Sequence, residues 1–282
     1  MGLSWLIAGA VKRYLALLPH DYAVKTARKL RYNLDVYSDD HDTLDSPVGP
    51  IRLSGLRRSL GEAAHVALKE PETIRWIDTC VAPGEVLWDV GSNIGLYAVY
   101  ATKRGAGAVY AFEPFGPTYL QLLKNLVRND ADRLVRALNL ALSDRTGLSS
   151  VTLSSFEPGY ATTLAGSELP TDLAGQKIGS QSVMTFRADD FVRIVPDARP
   201  DHVKIDVDGS EPLVLGGLEP LLPSIKSLLI EVLEDFEQAF EAEFRPKLVS
   251  AGFSEIAIGS PRSARNRVFV RAEAIGQVPH FL

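Results

Sequence analysis

From residue 86 onward, short apolar runs alternate with stretches in which apolar residues recur every three or four positions. Val86-Leu-Trp-Asp-Val reads as a buried strand ending at Gly91, and Ile94 to Arg104 as the helix after it. Val109-Tyr-Ala-Phe-Glu113 repeats the pattern, with a helix after Pro114 running through Tyr119 to Val127. A third strand is expected around Val135 to Leu142, a fourth at His202-Val-Lys-Ile-Asp-Val with a helix through Val214 and Leu218, and a fifth at Ser227-Leu-Leu-Ile-Glu-Val. Phe236, Phe240, Phe244 and Leu248 then mark one face of a helix over 236–250. Glu255-Ile-Ala-Ile and Arg267-Val-Phe-Val-Arg read as a closing antiparallel hairpin. Strands that alternate with helices predict an α/β, Rossmann-like fold: a mostly parallel central sheet covered on both faces. Upstream, 48–60 suggests a small hairpin, and Pro71 to Thr79 a helix with proline in its first turn.

Two regions depart from this rhythm. Residues 1–65 read as an N-terminal helical and hairpin extension to a domain spanning 66–282. Leu3, Leu6, Ile7, Ala10, Val11, Tyr14, Leu15 and Leu18 recur at helical spacing, beside Lys12, Arg13, Lys25, Arg28, Lys29 and Arg31. A docked amphipathic helix is one reading and peripheral membrane contact the other, since the apolar run is too short to span a bilayer. The second departure is 151–188, where strand-like Ser150-Val-Thr-Leu-Ser and Gln181-Ser-Val-Met-Thr-Phe flank a stretch rich in Gly, Ser, Thr and Pro. Such an insertion before the fourth strand can fold over the mouth of the sheet as a substrate lid, or serve as a structural flap.

The 282 residues are 46% apolar and 23% charged, enough for one large core with decorations. A formal net charge of -5 argues against nucleic acid as the substrate, because phosphate binding calls for a basic surface. A single cysteine, Cys80, forms no internal disulfide and suggests a cytoplasmic protein.

Candidate chemistry collects where strands end. In Asp89-Val-Gly91-Ser92-Asn93-Ile-Gly95 an acid closes the first strand, and glycines stand where the backbone must pass a ligand closely. A pyrophosphate fingerprint reads Gly-x-Gly-x-x-Gly, and here the Gly-x-Gly pair is missing. S-adenosylmethionine carries an ammonium, a carboxylate and a sulfonium but no phosphate, and suits such a turn; an ordinary tight turn is the plainer reading. Glu113 closes the second strand 24 residues after Asp89, near the spacing of about 20 at which a Rossmann acid meets a ribose. Lys204, Asp206 and Asp208 alternate onto one face of an extended segment, a costly arrangement unless they line a cleft and pair. Methyl transfer is expected there, with Asp206 or Asp208 orienting an acceptor hydroxyl or removing its proton. A Lys-Asp pair that merely shapes the turn is the structural alternative. Asp206, Asp208 and Glu211 could also hold Mg²⁺, although their spacing is not specific to it. No histidine has metal-binding company, and His202 is expected at the opposite end of the sheet.

The ordered set Leu87-Trp-Asp-Val-Gly-Ser-Asn-Ile-Gly-Leu, Tyr110-Ala-Phe-Glu-Pro114, Asn139-Leu-Ala-Leu-Ser-Asp144, His202-Val-Lys-Ile-Asp-Val-Asp-Gly-Ser-Glu and Leu229-Ile-Glu-Val closely resembles the FkbM family of S-adenosylmethionine-dependent methyltransferases. It covers about residues 70 to 233. The resemblance implies a class I methyltransferase fold and O-methylation of a sugar, glycan or small natural product. It implies that Asp89, Gly91, Asn93 and Gly95 hold the methionine end, joined by Glu70 and Thr73, that Glu113 holds the ribose, and that Ser143-Asp144 lie near the adenine. Family members usually carry Ala where Ser92 stands. Two other functions compete: a non-catalytic S-adenosylmethionine-binding scaffold or sensor, and an NAD(P)-dependent dehydrogenase, the latter weakened by the glycine spacing and the lack of a Tyr-x-x-x-Lys pair.

Overall fold

The structure, a computed structural model, describes residues 3–37, 41–54, 70–159, 162–164, 178–258 and 265–271. It divides into two units, Met1–His41 and Asp42–Leu282. The first contains α1 (Leu3–Ala16) and α2 (His20–Tyr37), separated by a turn at Leu17–Pro19. No described helix is long and apolar enough to cross a membrane.

The second unit opens with a short antiparallel pair, β1 (Asp42–Leu44) and β2 (Ile51–Leu53), so the small hairpin begins earlier than its sequence suggested. Residues 55–60 of that expected hairpin lie outside the described residues. Helix α3 (Pro71–Cys80) follows, with Pro71 at its first turn, where a missing N–H costs nothing. The β-α units are then β3 (Val86–Val90) with α4 (Leu96–Arg104), and β4 (Ala108–Phe112) with α5 (Gly116–Arg128), leading to β5 (Val135–Leu138).

The expected third strand does not run on to Leu142. It ends at Leu138, and β6 (Ala141–Leu142) belongs to a second sheet with β7 (Gly147–Leu153), β8 (Thr162–Leu164) and β9 (Gly179–Phe186). The insertion is therefore a small sheet in its own right, ordered β6-β9-β7-β8, with 165–177 outside the described residues. The chain returns through α6 (Ala188–Ile194) to β10 (His202–Ile205), α7 (Glu211–Leu218) and β11 (Ser227–Glu231).

The next helix has a break in its winding that periodicity alone did not show. α8 (Glu234–Ala239) passes through a π turn, Phe240–Phe244, into α9 (Arg245–Ser250). Pro246 cannot donate to the carbonyl four residues back, and apolar positions spaced by four drift off a 3.6-residue winding; a widened turn answers both. Phe236, Phe240, Phe244 and Leu248 all stay buried. β12 (Phe253–Ile256) and β13 (Asn266–Arg271) are the last of the described elements and form the expected antiparallel pair.

The seven-stranded sheet runs β12-β13-β11-β10-β3-β4-β5, with β3, β4, β5, β10 and β11 parallel and β13 antiparallel to β11. From β3 the chain steps outward to β4 and β5, then returns to β10 on the other side of β3. That reversal makes the carboxyl ends of β3 and β10 the topological switch point, the crevice where open α/β sheets take ligands. Side chains alternate across the sheet: Trp88, Val90, Val203, Ile205 and Ile230 join a core with α6, α7 and α8. Leu87 and Leu229 join the other core, beneath α3 and α4. At the amino end, the Trp76 indole donates to Ser227 Oγ at 2.9 Å, and His202 bridges Ser227 and Glu85 at 2.7 Å on each side. This buried network ties α3 to the sheet at the end far from the switch point, where His202 was expected.

Candidate active site

Asp89, on the α3/α4 side of β3, pairs in register with Lys204 of β10. Lys204 is buried, its Nζ 2.6 Å from Asp206 Oδ2 and 5.1 Å from the centre of the Tyr97 ring on α4. Burial alone would strip the proton from this amine. The charges of Asp206, Asp89 and Glu70 outweigh it and raise the lysine above its ordinary value. Lys204 is thus a fixed positive charge inside a ring of carboxylates.

Asp89 is completely buried, and neither carboxylate oxygen has a hydrogen-bond partner. The Ser92 hydroxyl beside it spends its single proton on the Asp89 main-chain carbonyl at 2.6 Å. Burial accordingly pushes the Asp89 carboxyl up. An orphaned carboxylate of this kind calls for a donor.

The glycines of the turn are required by the protein's own packing. A Cβ on Gly91, whose φ is +80°, would stand 1.8 Å from the Asp206 carbonyl oxygen; one on Gly95, φ +92°, would meet Leu122 of α5 at 2.4 Å. Each makes room for protein, and Gly91 in particular lets the loop after β3 close on the loop after β10. Two other residues take left-handed backbone without being glycine, Asn93 at φ 50° and Asp208 at φ 50°, one on each of these loops. Strain of this sort collects at functional sites. It also corrects the placement of Asp208: β10 stops at Ile205, so Asp208 lies in a turn and not on an extended face with Lys204 and Asp206.

Glu113 lies one residue beyond β4 and is nearly buried. Its Oε2 accepts the Asn93 N–H at 3.0 Å, and its Oε1 the Phe115 N–H at 2.9 Å. The carboxylate braces the Asn93 loop and keeps lone pairs for further donors. Burial pushes it up to about 7, against the pull of those two N–H groups. Pro114 offers its carbonyl to Asn139 Nδ2 at 2.9 Å and Gln181 Nε2 at 2.8 Å. The insertion sheet is thereby clamped to the start of α5. Asn139 opens one of the ordered motifs but was given no role of its own, and Gln181, an amide inside an insertion, carries no local signal.

The insertion also reaches the loop after β3. Gly159 donates its N–H to Thr118 Oγ1 at 3.0 Å, and its carbonyl lies 3.5 Å from Asn93 Nδ2. Ser143 follows β6 in the second sheet. Because the chain leaves the main sheet at Leu138, Ser143 bonds the Phe186 carbonyl at 2.9 Å, and its own carbonyl packs against Gly217 of α7. Asn139 stands next to Glu113, donating to its carbonyl at 2.9 Å.

Glu70 and Thr73 stand together at the start of α3, the Thr73 hydroxyl donating to Glu70 Oε2 at 3.1 Å. In the first turn, Glu72 is buried; its Oε1 accepts from Asn266 Nδ2 at 3.0 Å, and its Oε2 has no partner. Glu211, a candidate for Mg²⁺, accepts the N–H groups of Val207 at 3.1 Å and Gly209 at 2.9 Å, so both its oxygens cap the turn before α7. Among the described residues no group of three His, Cys, Asp or Glu is arranged to hold a metal. The residue missed outright is Glu231, at the end of β11. Burial and the neighbouring Asp206 charge push it up to about 9. An acid closing an apolar strand was the signal that found Asp89 and Glu113, and it was present here too.

These carboxyls predict a pH effect. Glu113 and Glu211 both rise by burial from 4.5 to about 7, so between those values the folded chain holds more protons than the unfolded one. Their contribution to stability is complete below about 4.5 and is lost as pH rises through 7. Glu85 is brought down to about 2 by bonds from His202, Lys226 and Ala82 that overcome its burial, and its contribution is constant across that window. The melting temperature of the ligand-free chain should therefore be lower at about pH 8 than at about pH 5.5, by ~2–4 °C per kcal/mol lost. A melting temperature that rose over this interval would contradict the assignment.

Residues 89–255 match the family model described as the methyltransferase FkbM domain. The hexuronic acid methyltransferase AglP of Haloferax volcanii is 31% identical over 198 residues, which is 70% of this chain and 73% of that protein. The methyltransferase sdnD of Sordaria araneosa is 30% identical over 52% of this chain and 65% of its own. The 31-O-demethyl-FK506 methyltransferase FkbM of Streptomyces tacrolimicus is 29% identical, covering 66% and 79%. The dehydrogenase alternative falls with these matches.

Proposed function

The chain belongs to the FkbM methyltransferase family, and on that premise we propose that it moves a methyl group from S-adenosylmethionine to a hydroxyl of a sugar or small natural product, with Asp206 accepting the hydroxyl proton. The observation that carries this reading is the Lys204–Asp206 pair, 2.6 Å apart at the switch point and packed directly on the Gly91 loop.

The residues fit the methyl donor. Asp89 has two buried oxygens without a donor, and the ammonium of the methionine end is such a donor. Glu113 has accepted two N–H bonds and retains lone pairs for a pair of ribose hydroxyls. When bound, S-adenosylmethionine supplies an electrophilic methyl on a positively charged sulfur. The task left to the chain is to align a hydroxyl, exclude water and take up one proton. Lys204 bonds the Asp206 carboxyl group and fixes its direction. The backbone contact between Asp206 and Gly91 keeps that carboxylate beside the loop assigned to the donor. The segment around Gly159, bonded to Thr118 and lying against Asn93, serves in this reading as a lid over the cleft.

Calorimetry with S-adenosylmethionine, S-adenosylhomocysteine and NAD(P) tests the donor, with binding expected only for the first two. At one hundred times its dissociation constant, a ligand of the folded state adds ~2.7 kcal/mol, an easily seen rise in melting temperature. Tritiated methyl donor incubated with extracts of the source organism should label a small molecule or saccharide. Binding without labelled product would support a scaffold or sensor, and absence of binding would overturn the reading.

A further inference from the structure

The register of the sheet sets three polar residues in one row at the ends of its strands. Ile205 lies opposite Ile230, and Glu231 opposite Asn266. Asp206, one residue beyond β10, still donates its N–H to the Val90 carbonyl of β3 at 3.1 Å. Asp206, Glu231 and Asn266 therefore follow one another across β10, β11 and β13. The row faces α3 and α4, because Leu229 and Val268, two residues before Glu231 and two after Asn266, join the core on that side. All three are half-buried, whereas Leu229 and Val268 beneath them are buried.

Glu72 fixes the outer end of this row. It is only 3% exposed, in the first turn of α3; its Oε1 accepts from Asn266 Nδ2 at 3.0 Å, and its Oε2 has no partner. A carboxylate oxygen only accepts, so the amide must turn its nitrogen to Glu72, and its Oδ1 is directed away from that acid. An acid kept for stability alone would have both oxygens satisfied. A buried oxygen left without a donor costs stability, and that cost calls for another explanation of the residue.

We propose that Asn266 determines specificity for the methyl acceptor: its amide oxygen takes the O–H of a second hydroxyl on a sugar ring whose reacting hydroxyl lies at Asp206, and Glu72 is the positioning residue that holds the amide in that orientation. The inference rests on the methyl-transfer reading above and goes beyond it by naming what recognises the acceptor. Two strand spacings, about 10 Å, separate the backbones at Asp206 and Asn266. With both side chains reaching into that gap, it takes one pyranose ring lying across the end of β11. An alcohol with a single hydroxyl would leave the Asn266 oxygen without its donor, and a site built to bond a hydroxyl discriminates against the analogue that lacks it.

The test uses the full chain saturated with S-adenosylhomocysteine and a panel of methyl hexopyranosides with their monodeoxy analogues, binding being followed by calorimetry. At least one parent glycoside should bind, and one of its deoxy analogues should bind ~10-fold more weakly, the worth of one hydrogen bond. Asn266→Ala should weaken the parent by the same factor and leave that one analogue unaffected. In turnover with S-adenosylmethionine, the variant should raise KM for the glycoside while kcat and KM for the methyl donor stay as in the wild type. Glu72→Met fills similar space without an acceptor for the amide; it should raise the same KM without lowering the melting temperature, because it also removes the orphaned oxygen. Glu72→Gln keeps an oxygen for Asn266 and should restore that KM. No glycoside binding, equal losses of parent and analogue in Asn266→Ala, or a Glu72→Met variant changed only by a lower melting temperature would each overturn the proposal. Binding that depends on Asn266 without any methyl transfer would sink the methyl-transfer reading and leave the sugar site standing. Transfer indifferent to Asn266→Ala would do the reverse.

Discussion

Asp206→Asn is expected to lower methyl transfer by ~10²–10⁴-fold, the usual worth of a positioned general base, while S-adenosylmethionine still binds. The replacement keeps the shape of the side chain, but it cannot take a proton. It also removes the nearest counter-charge of Lys204, whose Nζ lies 2.6 Å from the carboxylate. The ammonium is left with Asp89 and Glu70, the other charges that hold its proton. Some loss of stability should therefore accompany the loss of rate, because removing one member of a buried pair leaves a charge uncompensated. The two effects separate experimentally: single-turnover transfer measured well below the variant's melting temperature reports the chemistry, and thermal unfolding reports the pair. A variant that folds and transfers at the wild-type rate would remove Asp206 from the mechanism.

Gly91→Ala carries the largest expected structural effect. Its φ of +80° is left-handed, and the new Cβ would stand 1.8 Å from the Asp206 main-chain oxygen. Backbone strain at such a position costs about 1–2 kcal/mol, and overpacking against a group that cannot rotate away adds about 1–3 kcal/mol. The sum predicts a melting temperature lower by ~4–20 °C. Because the loops after β3 and β10 would be forced apart, donor binding and transfer should both suffer. Gly84→Ala is the control: its φ is +88°, yet nothing lies within 4 Å of the added carbon. It should lose only the strain contribution and keep full binding. Equal losses in the two variants would show that backbone strain alone, and not contact with Asp206, makes Gly91 necessary.

The alternation of apolar strands and helices, the parallel sheet with its closing hairpin, and the acids at strand ends were all legible along the chain. They are local properties: a run of Val, Leu and Trp stopped by Asp89 and Gly91 has few ways to fold, and a carboxylate at the end of a buried strand belongs at a cleft. The ordered motifs also carried the family. What could not be read were relations between residues far apart in the chain. The third strand was drawn too long because Leu140 to Leu142 are as apolar as a strand. Only pairing of Ala141 with Thr185 of β9 shows that they serve another sheet. Asp208 was drawn onto the face of Lys204 because alternation assumes extended backbone, and the left-handed turn that ends β10 is set by Glu211 accepting from Val207 and Gly209. The role of Gly91 depends on the Asp206 carbonyl. The sequence by itself thus determined the fold class, the family and the strand ends at which charge collects. Tertiary structure decided which of those charges meet, because hydrogen bonding and charge pairing act over a few ångströms of space whatever the distance along the chain.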